Sequence, residues 1–181
     1  MTSPTDPTPP SAFNQDRLRA DLLLWRHAEA LELPFDDSLQ PGEWAAQDMA
    51  RPLTARGEKQ AQRMGAWLDR QLPELTRIWV SPARRCEQTA QALGRKYKIK
   101  PELSPGATPE QVLELVQWPL GKVPVLVIGH QPFLGQTIAQ LLQLQESECS
   151  VKKGAVWWLR HREKYGEPQT VVVTVQSPEV L

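Results

Sequence analysis

Asp21-Leu22-Leu23-Leu24-Trp25-Arg26-His27 sets a near-continuous apolar run directly before an arginine and a histidine. A run without polar alternation suits a strand covered on both faces, and the expected strand is Asp21 to Arg26. A second run of this kind, Val123 to Ile128, leads into Gly129 and His130. Between and around them the chain alternates strand-like and helix-like patterns, which argues for an α/β domain. The chain of 181 residues fits one compact domain. Its extent is read as 17–181, behind a disordered Pro-rich tail over 1–16.

The helices announce themselves by their ends. Thr54 is a good N-cap, and Ala61, Met64, Leu68 and Leu72 follow at helical spacing until Pro73. Gly65 inside that helix costs about 1 kcal/mol relative to alanine. A short strand is expected over Arg77 to Val80. Ser81-Pro82 then reads as N-cap and first helical position, with Cys86, Ala90, Leu93 and Tyr97 on one face. Thr108-Pro109-Glu110-Gln111 is a capping box ahead of Val112, Leu115 and Val116. A further helix begins near Pro132. The remainder reads as a hairpin, Gly154 to Arg160 and Gln169 to Val175, around a charged turn with Gly166. Glu29 to Arg51, broken by Pro34, Pro41 and Gly42, reads as a loop over the site with at most one short helical turn.

Lysine plus arginine equals aspartate plus glutamate, 21 each. This balance excludes a broad basic footprint for nucleic acid or for a membrane surface. Residues 1–12 lack the basic and apolar regions of a signal peptide, and no apolar run approaches a membrane span. With two widely separated cysteines, Cys86 and Cys149, the expected compartment is cytoplasmic. No cysteine or carboxylate cluster suggests a metal, and no cofactor is expected.

Two of the three histidines, His27 and His130, end the two clearest buried strands. Ligands of open α/β sheets bind outside the carboxyl ends of strands, so both point to one crevice. Arg26 precedes His27, and Arg84 and Arg85 fall in the first turn of a helix that also starts at a strand end. Arginine forks and a helix N-terminus suit a small dianion, most simply phosphate. Taken singly, each residue reads as an ordinary structural histidine or surface arginine. Their convergence is what points to an anion pocket.

Four segments carry a family resemblance. Trp25-Arg26-His27-Ala28-Glu29 resembles the Arg-His-Gly signature of the histidine phosphatase superfamily, the phosphoglycerate mutase-like proteins. Arg51-Pro52-Leu53-Thr54-Ala55-Arg56-Gly57, Ser81-Pro82-Ala83-Arg84-Arg85-Cys86-Glu87-Gln88-Thr89-Ala90 and Gly129-His130-Gln131-Pro132 resemble its other motifs, in the family's order. The small size resembles the short, SixA-like phosphohistidine phosphatase branch. The resemblance implies a three-layer αβα sandwich with a mostly parallel central sheet. It implies a metal-independent hydrolase that removes phosphoryl groups from phosphohistidine on signalling or phosphocarrier proteins. His27 would attack phosphorus, while Arg26, Arg85, His130 and the backbone N–H of Gln131 would hold phosphoryl oxygens. Arg84 does not match the family's arginine and is expected outside the site. Asp48 and Glu29 are the candidate proton donors, Asp48 fitting the family's position better. Ala28 stands where the family has glycine, which matters only if φ there is positive. A small-molecule phosphomonoesterase of the same superfamily and a non-catalytic phosphate-binding regulatory module remain the alternatives. No partner of nucleic acid or membrane type is implied.

Overall fold

The structure, a computed structural model, describes residues 20–34 and 36–181. The tail expected over 1–16 lies outside the described residues. One six-stranded sheet has the order β3-β2-β4-β1-β5-β6. Its strands are β1 (Ala20–Arg26), β2 (Arg77–Val80), β3 (Lys98–Ile99), β4 (Val125–Gly129), β5 (Val156–Lys164) and β6 (Glu167–Gln176). The first four are mutually parallel; β5 runs antiparallel to β1, and β6 antiparallel to β5. The α/β class and the mostly parallel sheet are as expected.

Side-chain alternation along the central strands separates two cores. Leu23 and Trp25 of β1 face Met64 and Leu68 of α2 (Ala55–Gln71) and Cys86 and Ala90 of α3 (Arg84–Gln91). Leu22 and Leu24 face Val112 and Val116 of α4 (Pro109–Val116) and Leu134 and Ile138 of α5 (Phe133–Leu141). Helices therefore cover both faces of the sheet, giving the three layers. The central strands read as continuous apolar runs because neither face meets water.

Thr54 caps α2 through the Gly57 N–H, and Thr108 and Gln111 form the reciprocal box of α4. Gly65 has a purpose that its helix propensity conceals. A Cβ there would stand 2.5 Å from the Ala92 carbonyl oxygen, so α2 approaches the end of α3 only without a side chain.

Three expectations need correction. The segment Glu29 to Arg51 holds a ten-residue helix, α1 (Pro41–Ala50). Pro41 occupies its first turn, where proline is tolerated, and Gln40 with Glu43 forms a capping box. No α1 residue is buried, so the helix carries little of the apolar periodicity that would have marked it. Second, α3 begins at Arg84 with Ala83 at the N-cap, later than Ser81-Pro82 implied. The Ser81 hydroxyl is engaged elsewhere. The C-terminal hairpin also runs longer than expected, closing at Tyr165 and Gly166, both at positive φ.

Candidate active site

Parallel register brings the site together. Arg26 of β1 lies beside Gly129 of β4, and Val80 of β2 beside Ile128. The next residues along the three strands are His27, His130 and Ser81, which leave the sheet side by side. The His27 N–H donates to the Gly129 carbonyl at 3.1 Å and the Ser81 N–H to the Ile128 carbonyl at 3.0 Å. The two imidazole centroids are 5.3 Å apart. The rings line a depression of about 360 Å³ with Arg26, Asp48, Arg51, Arg85 and Gln131.

His27 is 6% exposed. Its Nδ1 lies 2.7 Å from the Ala28 carbonyl oxygen. A carbonyl only accepts, so Nδ1 carries the proton and Nε2 keeps its lone pair. Burial, and then the nearby Arg85, Arg26 and Arg51, push the His27 pKa down to about 3. The ring is therefore neutral near pH 7, with one nitrogen ready to attack an electrophile.

His130 is fixed at both nitrogens. Arg85 Nη2 lies 3.2 Å from its Nδ1, and guanidinium only donates, so Nδ1 accepts. Nε2 then carries the proton and donates to the Ser81 hydroxyl at 2.7 Å. Burial, His27 and the arginines push its pKa down to about 2. The Cys86 thiol lies behind the ring, 3.5 Å from Nε2; burial raises it to about 12, so it stays a thiol.

The cations are braced from several sides. Arg26 Nη1 donates to the Val151 carbonyl at 2.7 Å, and desolvation followed by repulsion from Arg85 lowers its pKa. Arg85, 3% exposed, donates from Nη1 to the Asp48 carbonyl at 2.6 Å and from Nη2 to Asp48 Oδ2 at 3.0 Å. Asp48 Oδ1 accepts from Arg51 Nε at 2.9 Å. Gly154, at φ +77°, accepts from Trp25 Nε1 and donates its N–H to the His27 carbonyl at 3.0 Å. A side chain would strain that left-handed backbone.

Thr89 ties α3 to the segment that follows β1 and carries His27. Its Oγ1 accepts from the Ala28 N–H at 3.1 Å and donates to the Arg85 carbonyl at 2.7 Å. Ala28 is fully buried, and its φ is not positive, so its methyl group simply packs with Ala30, Leu53 and Ala61.

The expected residues His27, Arg26, Arg85, His130, Gln131 and Asp48 thus share one depression. Gln131 lines it while its side chain accepts from the Gly135 N–H and donates to the Cys149 carbonyl. Glu29 is turned to the start of α2, accepting from Thr54 Oγ1 at 2.8 Å with Arg56 3.5 Å away, and does not line the depression. Arg84 is exposed, as expected. Sequence reasoning missed Ser81 and Arg51 as site residues. Both stand in the quoted motifs, but in sequence Ser81 has the pattern of a helix cap and Arg51 stands at the end of a loop. Among the described residues no group of three or more His, Cys, Asp or Glu side chains is placed to hold a metal ion. Among them, too, no helix is long and apolar enough to cross a membrane.

Comparison with known proteins gives the chain's family. Residues 22–108 match the sequence model of the histidine phosphatase superfamily (branch 1). The phosphohistidine phosphatase SixA of Escherichia coli is 36% identical over 105 residues, which cover 54% of this chain and 65% of that protein. The chain's match therefore spans just under two thirds of that relative's length. A phosphohistidine phosphatase SixA homolog of Haemophilus influenzae is 30% identical over 137 residues, covering 67% of this chain and 76% of the relative. The structure of the protein histidine phosphatase SixA complexed with tungstate superposes with a TM-score of 0.69 at 27% identity, covering 88% of this chain and 98% of that one.

Proposed function

Because the chain belongs to the histidine phosphatase superfamily, we propose that it is a metal-independent phosphohistidine phosphatase acting on phosphorylated proteins through a phospho-His27 intermediate. The observation that carries this reading is the His27 tautomer. Nδ1 is held on the Ala28 carbonyl, and Nε2 makes no hydrogen bond to any described residue. Three guanidiniums, Arg26, Arg51 and Arg85, line the same depression.

In the proposed reaction, His27 Nε2 attacks phosphorus as the bond from phosphorus to the substrate's imidazole nitrogen breaks. That nitrogen takes a proton from solvent, which the later attack of water returns, and leaves as neutral imidazole. Water then attacks the phosphorus on His27, releasing phosphate and returning the lone pair to Nε2. Phosphoryl transfer asks mainly for positioning and for charge around the equatorial oxygens, which Arg26 and Arg85 supply. His130 joins them once Ser81 donates to Nε2 instead, which puts the proton on Nδ1 and requires Arg85 Nη2 to turn from Nδ1 to the phosphoryl oxygens.

Asp48 has both carboxylate oxygens bound to guanidiniums, so in this arrangement it orients Arg85. Service as proton donor would require it to release one of them. A labile P–N bond asks less of an acid than an ester does, which fits a site whose carboxylate is so committed. The names of the SixA relatives support the substrate class.

The test is phosphate release from a phosphohistidine-bearing phosphocarrier protein, beside a panel of phosphorylated metabolites and a His27→Ala control. Release from the phosphoprotein that vanishes in His27→Ala supports the reading. Turnover of metabolites alone replaces its substrate.

A further inference from the structure

Away from the depression, the β2–β3 edge of the sheet forms a groove of about 750 Å³. Arg77, Lys96, Lys98 and Lys100 line it, with Trp79 and Tyr97 among its walls. None of these four cations forms an ion pair with a described residue. Lysines on an edge strand commonly do no more than ward off edge pairing. Here three further features go beyond that. The surface is concave. Lys100 is half-buried, with Nζ held 5.1 Å from the Trp79 ring centroid, so its charge is positioned and not merely exposed. And β3 is the outermost strand, paired only on its β2 side, so its other edge is open to an added strand.

In a chain of zero net charge, this concentration of unpaired cations is a local feature. We infer that the groove takes an extended acidic segment of a partner protein, its backbone along β3 and its carboxylates on Arg77, Lys96, Lys98 and Lys100. Strand addition supplies main-chain hydrogen bonds, and charge complementarity supplies register and a faster encounter. A nucleic acid fits less well. Its binding draws on a positive field spanning many phosphates, whereas here four cations form one local cluster in a chain of zero net charge.

The groove also adjoins the depression along the chain. Lys100 leads through the single turn Pro101–Leu103 to Pro105, which lines the depression beside His130. At no more than about 3.5 Å per residue, Lys100 and Pro105 lie within about 18 Å of each other. One docked domain can cover both, since a standard interface buries about 800 Å² on each partner. Resting on the proposed phosphatase activity, the partner is the phosphoprotein substrate itself, and the groove is its docking site.

The experiment compares the full chain with Lys96→Glu/Lys98→Glu, both exposed positions, and with Lys100→Gln as a gentler second variant. Binding of fluorescent octaglutamate is read by anisotropy. Turnover is read on a phosphohistidine-bearing phosphocarrier protein and on free phosphohistidine. Octaglutamate is expected to bind the parent, to weaken steeply between about 50 and 300 mM salt, and to lose about tenfold or more in the double variant. The phosphoprotein KM should rise by a similar factor with kcat kept, while free phosphohistidine is hydrolysed at the parental rate by both variants. Absence of octaglutamate binding to the parent, equal binding by parent and double variant, or tighter binding of an oligonucleotide of matched charge overturns the inference. An unchanged phosphoprotein KM does so as well. If neither phosphohistidine substrate turns over while octaglutamate still binds the parent and not the variant, the acidic-segment site stands and the phosphatase reading fails.

Discussion

Asp48 holds Arg85 at two points, accepting Nη1 on its backbone carbonyl at 2.6 Å and Nη2 on its carboxylate at 3.0 Å. The exposed helix α1 therefore delivers a clamp that fixes a buried cation of the site. Asp48→Asn keeps the carbonyl contact and loses the ion pair. A positioning role predicts a loss of about tenfold in kcat/KM, equal for good and poor leaving groups. A proton donor would lose far more on poor leaving groups than on phosphohistidine, and a leaving-group series separates the two outcomes. Arg85→Ala should cost about 3 kcal/mol, or roughly a hundredfold, in kcat.

Ser81 fixes the tautomer of His130. Ser81→Ala leaves the Nε2–H of a 3% exposed imidazole with only the weak Cys86 sulfur, 3.5 Å away, in place of its hydroxyl acceptor. An unsatisfied buried donor costs about 1–3 kcal/mol, which urea denaturation would register. Turnover should fall as well, because His130 then loses the partner that lets its proton move to Nδ1. Unchanged stability together with unchanged kcat would sink this assignment.

Both site histidines are kept neutral, mainly by burial, with pKa values pushed down to about 3 for His27 and about 2 for His130 from 6.5. The unfolded chain takes up these two protons as pH falls through 6.5, and the folded chain does not until near 3. Their stabilising effect is thus complete above about pH 6.5 and is lost progressively below it, at about 1.4 kcal/mol per pH unit for each. Between pH 7 and 5 the two together should remove about 4 kcal/mol. A urea midpoint that stays flat down to pH 5 contradicts this.

Gly65→Ala should destabilise the protein despite alanine's better helix propensity of about 1 kcal/mol. The new methyl group would sit 2.5 Å from the Ala92 carbonyl oxygen and 2.8 Å from its carbon. Neither backbone atom can yield without parting α2 from α3, so a net loss of about 1–3 kcal/mol is expected in thermal or urea unfolding.

The central sheet was legible because β1 and β4 are apolar on both faces, and α2 and α4 because Thr54 and Thr108 carry their capping signals in sequence. Arg85, and not Arg84, was marked by family position, and the fold explains the choice: one points into the site and the other into solvent. Other information was hidden. α1 buries nothing, so no periodicity betrayed it, and its proline looked like a breaker. Ser81 has the side chain of a helix cap, and only the register of β2 against β4 shows that its hydroxyl belongs to His130. The significance of Ala28 was hidden too, since a backbone angle decides whether a methyl group is harmless.

The most direct measurement is to trap the covalent intermediate. The protein would be mixed with a phosphocarrier protein radiolabelled at its phosphohistidine, quenched in base within milliseconds, and its peptides mapped by mass. Base-stable, acid-labile phosphate on His27, joined through Nε2 and absent from His27→Ala, is the expected result. Label on another residue, or full turnover by His27→Ala, would contradict His27 as the nucleophile.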